Sequence, residues 1–186
     1  MKSLRHHAQK PAATALMADD VLEFHAGRLV LLLSTCGGPT ATINGLTKMA
    51  KLDFFVRYPD FFDVVQEKPQ TRTAKGLESV EAAMVRHHYG PWDKRYYHVL
   101  AYLEAKDLIT IKKTGKSFRL ALTKTGKAAA KALAASAPFE TLLIHMRRVA
   151  AEFSGKTGNE LKSMIYATFD QEVGKKALGD VIERSA

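Results

Sequence analysis

The residues of this chain with types suited to bond-making are its histidines, its single cysteine and one glycine-lysine-threonine triplet. Their spacing argues against such chemistry. His87 and His88 are adjacent, so on a strand they face opposite sides and do not readily share a metal. His98 lies ten residues beyond them with no supporting cysteine or carboxylate cluster, and no His-Glu-x-x-His spacing occurs. Cys36 precedes a glycine pair rather than an evident base, and no Gly-x-Ser-x-Gly turn is present. Gly155-Lys156-Thr157 resembles the end of a phosphate-binding loop. That loop needs a further glycine where Ala150 stands, and a strand where the preceding pattern is helical. No catalytic residue, metal ligand or cofactor site is therefore expected, and the chain is expected not to be an enzyme.

Charge is the more informative chemistry. The chain carries a formal +9 over 186 residues. Between Arg86 and Lys131 eleven lysines and arginines face three acids, Asp93, Glu104 and Asp107, so this quarter holds +8 of the total. The remaining 140 residues are nearly balanced, with 17 basic and 16 acidic side chains. So local an excess favours an anionic partner, nucleic acid first, with an acidic protein surface or a merely solvated face as the alternatives.

The elements that must position these cations are legible in part. An amphipathic helix begins around Phe24, runs through Leu29, Leu32 and Leu33, and ends at Gly37-Gly38-Pro39. Thr42 is placed to cap a second helix, with Ile43, Leu46, Met49, Ala50 and Phe54 at helical spacing, ending near Pro59. Phe61, Phe62, Val64 and Val65 form a short apolar patch, and 67–76 reads as a loop. Met84 to Tyr89 reads as a strand, Gly90-Pro91 breaks it, and Asp93 caps a helix from Lys94 to Lys106. On that helix Tyr96 or Tyr97, Leu100 and Leu103 supply a buried stripe, with Lys94, Arg95 and His98 nearer the opposite side.

The most explicit segment follows. Leu108 to Ile111 reads as a strand, Thr114-Gly115-Lys116 as a turn, Phe118 to Leu122 as a second strand, and Thr123 as the cap of a helix through Leu133. Helix, short junction, basic hairpin and helix is the order of a winged helix, in which the helix before the hairpin usually reads DNA. After Pro138 come an amphipathic helix with Leu142, Leu143, Met146, Val149 and Phe153, a turn over 154–159, and a last helix with Leu161, Ile165, Tyr166 and Phe169. The expected fold is mostly α with a small β component. It comprises an N-terminal tail (1–20), a winged-helix domain with an insertion (21–135) and a C-terminal helical extension (136–186).

Two aromatic clusters remain. Leu52 to Pro59 has apolar residues on nearly every side of its helix, so part must pack on the core and the rest needs a partner; Asp53 and Arg57, four apart, are able to pair on one face. Arg86 to Asp93 carries the sharp Gly90-Pro91 bend and the only tryptophan, Trp92, an arrangement more often a structural clamp than a ligand site.

Together with the hairpin after Leu108 and the stretch Glu160 to Phe169, the segments Leu52–Pro59 and Met84–Tyr97 resemble the middle component of bacterial ABC three-component systems, which include Lamassu-type antiphage defence complexes. The likeness covers roughly residues 24 to 175, and its motifs are specific in combination rather than singly. The resemblance implies a small non-catalytic subunit beside a long SMC-like coiled-coil ATPase and an effector subunit, often a nuclease, which it would bridge while helping to grip DNA.

These considerations give Lys94, Arg95, His98, Lys112, Lys113, Lys116 and Arg119 as candidate DNA contacts, and Phe54, Phe55, Arg57, Tyr58 and Trp92 as candidate partner contacts. The alternative is a stand-alone winged-helix transcription regulator, disfavoured by the long irregular insertion between the Ile43 and Lys94 helices. No apolar run approaches the ~18 residues of a membrane span and no signal-like segment is evident, so the expected location is cytoplasmic.

Overall fold

The computed structural model describes residues 21–66, 84–87, 90–175 and 177–182. The expected N-terminal tail, the loop at 67–76 and the end of the strand expected over Met84 to Tyr89 lie outside them.

The chain is mostly helical with a small sheet. Helix α1 (Leu22–Cys36) carries the run Leu29 to Leu33, every residue of it at most 1% exposed. A helix apolar all round must be covered all round. Here α4, α5 and α6, introduced below, surround α1. Gly37 donates its N–H to the Leu33 carbonyl, closing the helix, and Gly38 takes φ +63° to start a short 3-10 turn through Thr40.

The chain then departs from the helix expected at Thr42. Thr42–Asn44 is a strand, β1, and Gly45 at φ +97° turns the chain into helix α2 (Leu46–Arg57). Ile43 fits the helical spacing by coincidence; its partner in β5 holds it in an extended backbone. Helix α2 is buried continuously from Met49 to Arg57. It ends at Tyr58 because Pro59 opens the next helix, α3 (Pro59–Val65), at the first position, where the missing N–H costs nothing. The apolar patch at Phe61 and Phe62 is therefore helical.

Strands β2 (Val85–His87) and β3 (Gly90–Trp92) pair antiparallel, so Gly90-Pro91 belongs to a strand as well as a bend. Residues at the C-terminal end line the free edge of β2: Arg86 N–H donates to Asp180 O at 2.8 Å and Ile182 N–H to Met84 O at 2.9 Å. Helix α4 (Tyr96–Ala105) follows, then β4 (Ile109–Thr114) and β5 (Ser117–Leu122), which are longer at the turn than the alternation alone suggested.

The larger sheet is antiparallel with order β1-β5-β4. Its register pairs Ile43 with Leu120 and Leu120 with Ile111 on the core side. Thr123 caps helix α5 (Lys124–Ala134) as expected, its hydroxyl accepting from Gly126 N–H at 2.9 Å. Helices α6 (Glu140–Phe153) and α7 (Gly158–Thr168) complete the fold, and Thr157 with Glu160 forms a capping box at the start of α7.

One hydrophobic core joins these elements. Phe55 packs on Phe153 with ring centroids 4.6 Å apart, and Phe61 packs on Phe169 at 4.7 Å, so α6 and the end of α7 share the core of α2 and α3. Among the described residues no helix is long and apolar enough to cross a membrane.

Candidate functional site

The cations of the basic quarter divide into two groups with different surroundings. The first occupies the hairpin. Alternation along β4 and β5 sends Ile109, Leu120 and Leu122 to the core and Lys112 and Arg119 to the opposite face, and Gly115 at φ +61° forms the tight turn. Lys112, Lys113, Lys116 and Arg119 are all exposed. Lys112 stands opposite Arg119 and Lys113 opposite Phe118. Between Ile109 and Leu122 the sequence has no acid. Nothing inside the hairpin neutralises this field, which is complementary to a polyanion such as a phosphodiester chain.

Lys94, in the turn two residues before α4, and His98, in its first turn, are exposed, together with Tyr97, at 64%, and Ala101. The acids of the same quarter are engaged elsewhere: Glu104 accepts the Ile111 N–H at 3.1 Å and tethers β4 to α4, and Asp107 accepts from Thr125 Oγ1 at 3.3 Å.

The second group is interior. Arg28 presents Nε and Nη2 to the two carboxylate oxygens of Asp53 at 2.8 and 3.1 Å, a bidentate pair that is essentially fully buried. The Tyr96 hydroxyl donates to the same carboxylate at 2.7 Å. Burial, followed by the Asp53 charge, pushes the Tyr96 phenol well above its ordinary value. One helical turn on, Arg57 Nη1 donates to Asp93 at 2.7 Å. Asp93 also accepts from Arg95 through Nε, Nη2 and the backbone N–H. Burial works to raise the Asp93 carboxyl. The Arg95 hydrogen bonds, with the Arg57 and Arg95 charges, outweigh it and hold the group below the ordinary carboxylate range. His25 sits between the two assemblies, with Nδ1 3.0 Å from Arg28 and Nε2 2.9 Å from Arg95.

This geometry corrects several expectations. Arg95 faces Asp93 and His25, so it fastens α4 to the interior rather than presenting a bare cation. Asp53 and Arg57 are both buried and tied to other elements, not a surface pair on α2. Of the residues expected to meet a partner, Phe54 and Phe55 are 0% exposed, and Arg57 and Trp92 are also buried. Half-buried Tyr58 uses its hydroxyl to accept the Met84 N–H at 2.6 Å. The apolar faces of α2 are covered by α3, α6, α7 and β3 of the same chain. Trp92 lies between His87, stacked at 5.5 Å, and Tyr97 at 5.7 Å, the clamp suggested by the Gly90-Pro91 bend.

Two further features join residues too far apart in sequence to be grouped by pattern. Lys51 is a wholly buried lysine in α2 that donates to the Pro91 carbonyl at 2.8 Å; burial, and then the Lys162 charge, bring its pKa down to about 7. A recess of about 280 Å³ lies where the first turns of α2 and α7 meet the start of β5. It is lined by Asn44, Thr47, Lys48, Ser117, Asn159 and Lys162 among others, and so borders the hairpin at Ser117.

Other polar groups are inert by placement. Burial pushes the Cys36 thiol up to about 12, so it is protonated at neutral pH. His145 donates from Nε2 to the Phe55 carbonyl at 2.8 Å, and burial holds its pKa below the ordinary value. The Gly155-Lys156-Thr157 triplet is the turn that caps α7. Among the described residues no three histidine, cysteine or acidic side chains are grouped to hold a metal ion.

Compared with protein-family models, curated proteins and solved structures, the chain has no match.

Proposed function

We propose that this chain is a non-catalytic winged-helix adaptor subunit that contacts DNA through the start of α4 and the β4–β5 hairpin. Within the resemblance described above, it would bridge an SMC-like coiled-coil ATPase and a nuclease-type effector of an antiphage defence complex. The observation that carries the DNA contact is the acid-free hairpin with Lys112, Lys113, Lys116 and Arg119 exposed. The winged-helix reading is supported by the element order α1-β1-α2 and then α4-β4-β5, with β5 central between β1 and β4. The adaptor role rests on the sequence resemblance. Of the segments that carry it, Leu52–Pro59 is buried apart from half-buried Tyr58, and Met84, Trp92, Asp93 and Tyr96 are buried in the other, so these residues speak first to a shared fold.

With Lys94 and His98 added to the four hairpin cations, about six phosphate contacts give a salt dependence of slope roughly −5 in log affinity against log salt. Charge reversal of Lys112, Lys113 and Lys116 to Glu is expected to abolish duplex binding at low salt while leaving the circular-dichroism spectrum unchanged. Undiminished affinity in that variant removes the hairpin from the interface. The adaptor reading is tested by co-expressing the chain with its genomic neighbours and identifying what co-purifies. A coiled-coil ATPase and an effector support it; a homodimer that shifts duplex DNA by itself favours a transcription regulator instead.

A further inference from the structure

The end of the β4–β5 hairpin carries one residue that electrostatics does not account for. Leu122, Leu120 and Phe118 alternate onto the same face of β5. The first two are buried, at 6% and 0%, but the core ends at Leu120, and the Phe118 ring is 37% exposed beyond it. Its cross-strand neighbour on that face is Lys113, the next residue along is Arg119, and Lys116 lies in the turn. The hairpin therefore places a flat apolar ring beside Lys113 and close to the turn cation Lys116, with Lys112 and Arg119 on the other face and no acid in either strand. Water is a poor environment for the ring, and a neutral protein surface is a poor one for the cations. A nucleic acid satisfies both, because its phosphates take the cations and its base faces take the ring.

We infer that Phe118 is a base-contacting wedge, and that the hairpin prefers DNA in which a base step is already open, such as a bubble or single-strand junction, over fully paired duplex. This deepens the reading above and rests on it. Inserting a side chain into a paired duplex costs unstacking energy, whereas an open step has already met that cost, so the ring discriminates between the two. One ring offers too little apolar area to anchor a membrane, which needs an extended apolar face.

The test compares binding of a short paired duplex with the same duplex containing a central unpaired bubble that carries a fluorescent adenine analogue. The native chain is expected to bind the bubble about tenfold more tightly and to quench the analogue, given the usual strength of base–aromatic stacking. Phe118→Ala is expected to lose both preference and quenching while keeping its affinity for paired duplex. Phe118→Leu, which retains apolar bulk but not the flat ring, is expected to lose the quenching. Equal binding of bubble and duplex by the native chain, or an unchanged preference in Phe118→Ala, overturns the wedge and leaves the duplex contact standing. Absence of binding to either DNA overturns both. Binding of anionic-lipid vesicles that depends on Phe118, with no DNA preference, reassigns the ring to a membrane surface.

Discussion

The interior junction and the hairpin hold the same kind of residue and use it in opposite ways. At the junction of α1, α2 and α4, the cations are arginines, each set against a carboxylate within 3.1 Å. On the hairpin three of four cations are lysines, all exposed, with no acid in either strand. The difference follows from side-chain chemistry. A guanidinium is planar and matches a carboxylate with two parallel hydrogen bonds, which makes burial tolerable, whereas an ammonium on a flexible stem is best left hydrated until a partner arrives. Net charge alone does not distinguish the regions: Asp93, counted as neutralising the basic quarter, is spent on Arg57 and Arg95 in the interior. The field available to a partner is therefore more concentrated on the hairpin than the sequence count implies.

The contrast is most sharply broken at Asp53. Replacing it with Ala leaves Arg28 buried without its carboxylate and removes the acceptor of Tyr96, so a loss of about 3–5 kcal/mol is expected in urea unfolding. A loss under about 1 kcal/mol would mean that the junction is not held by charge. The double variant Arg28→Met with Asp53→Leu is expected to recover most of the loss, because two apolar side chains need no pairing.

Lys51 gives an intermediate effect with a defined sign. Its folded-state pKa of about 7 lies below its ordinary 10.5, so above about pH 7 the unfolded chain binds more protons than the folded one. Stability is expected to rise with pH across that window, by about 1 kcal/mol per unit from this group. Lys51→Met should flatten that slope when unfolding is compared between about pH 6 and pH 9. An unaltered slope in the variant would place the titration on another group.

The smallest effect on stability is expected where the effect on binding is largest. Reversing Lys112, Lys113 and Lys116 to Glu should change unfolding by no more than about 0.5 kcal/mol, since surface substitutions away from caps and cores rarely do more. A change as large as that at Asp53 would show that these lysines hold the fold, and the comparison between the two regions would fail.

What could be read in advance followed the range of the forces involved. The hairpin, its turn at Gly115 and the Thr123 cap depend on alternation and on hydrogen bonds spanning a few residues, and they are visible in the local pattern. The helix through Leu29, Leu32 and Leu33 was legible for the same reason. Strand β1 was not, because three residues cannot declare themselves extended; Ile43 is a strand residue only because Leu120 stands beside it. The candidate partner surface failed similarly. Phe54 and Phe55 announce that α2 needs covering, but whether another protein or the chain's own α6 supplies the cover is decided by where α6 packs.

The sequence by itself determined the class of fold, the local elements around the hairpin and the concentration of positive charge in one quarter of the chain, because periodicity, turn chemistry and composition are properties of neighbours along the chain. Only the tertiary structure decided which of those charges remain available. Arg28 meets Asp53 across 25 residues and Arg57 meets Asp93 across 36. Pairing energies fall steeply with distance in space and carry no signature in sequence separation, so the division between cations that hold the fold and cations that face outward emerges only once the helices are packed.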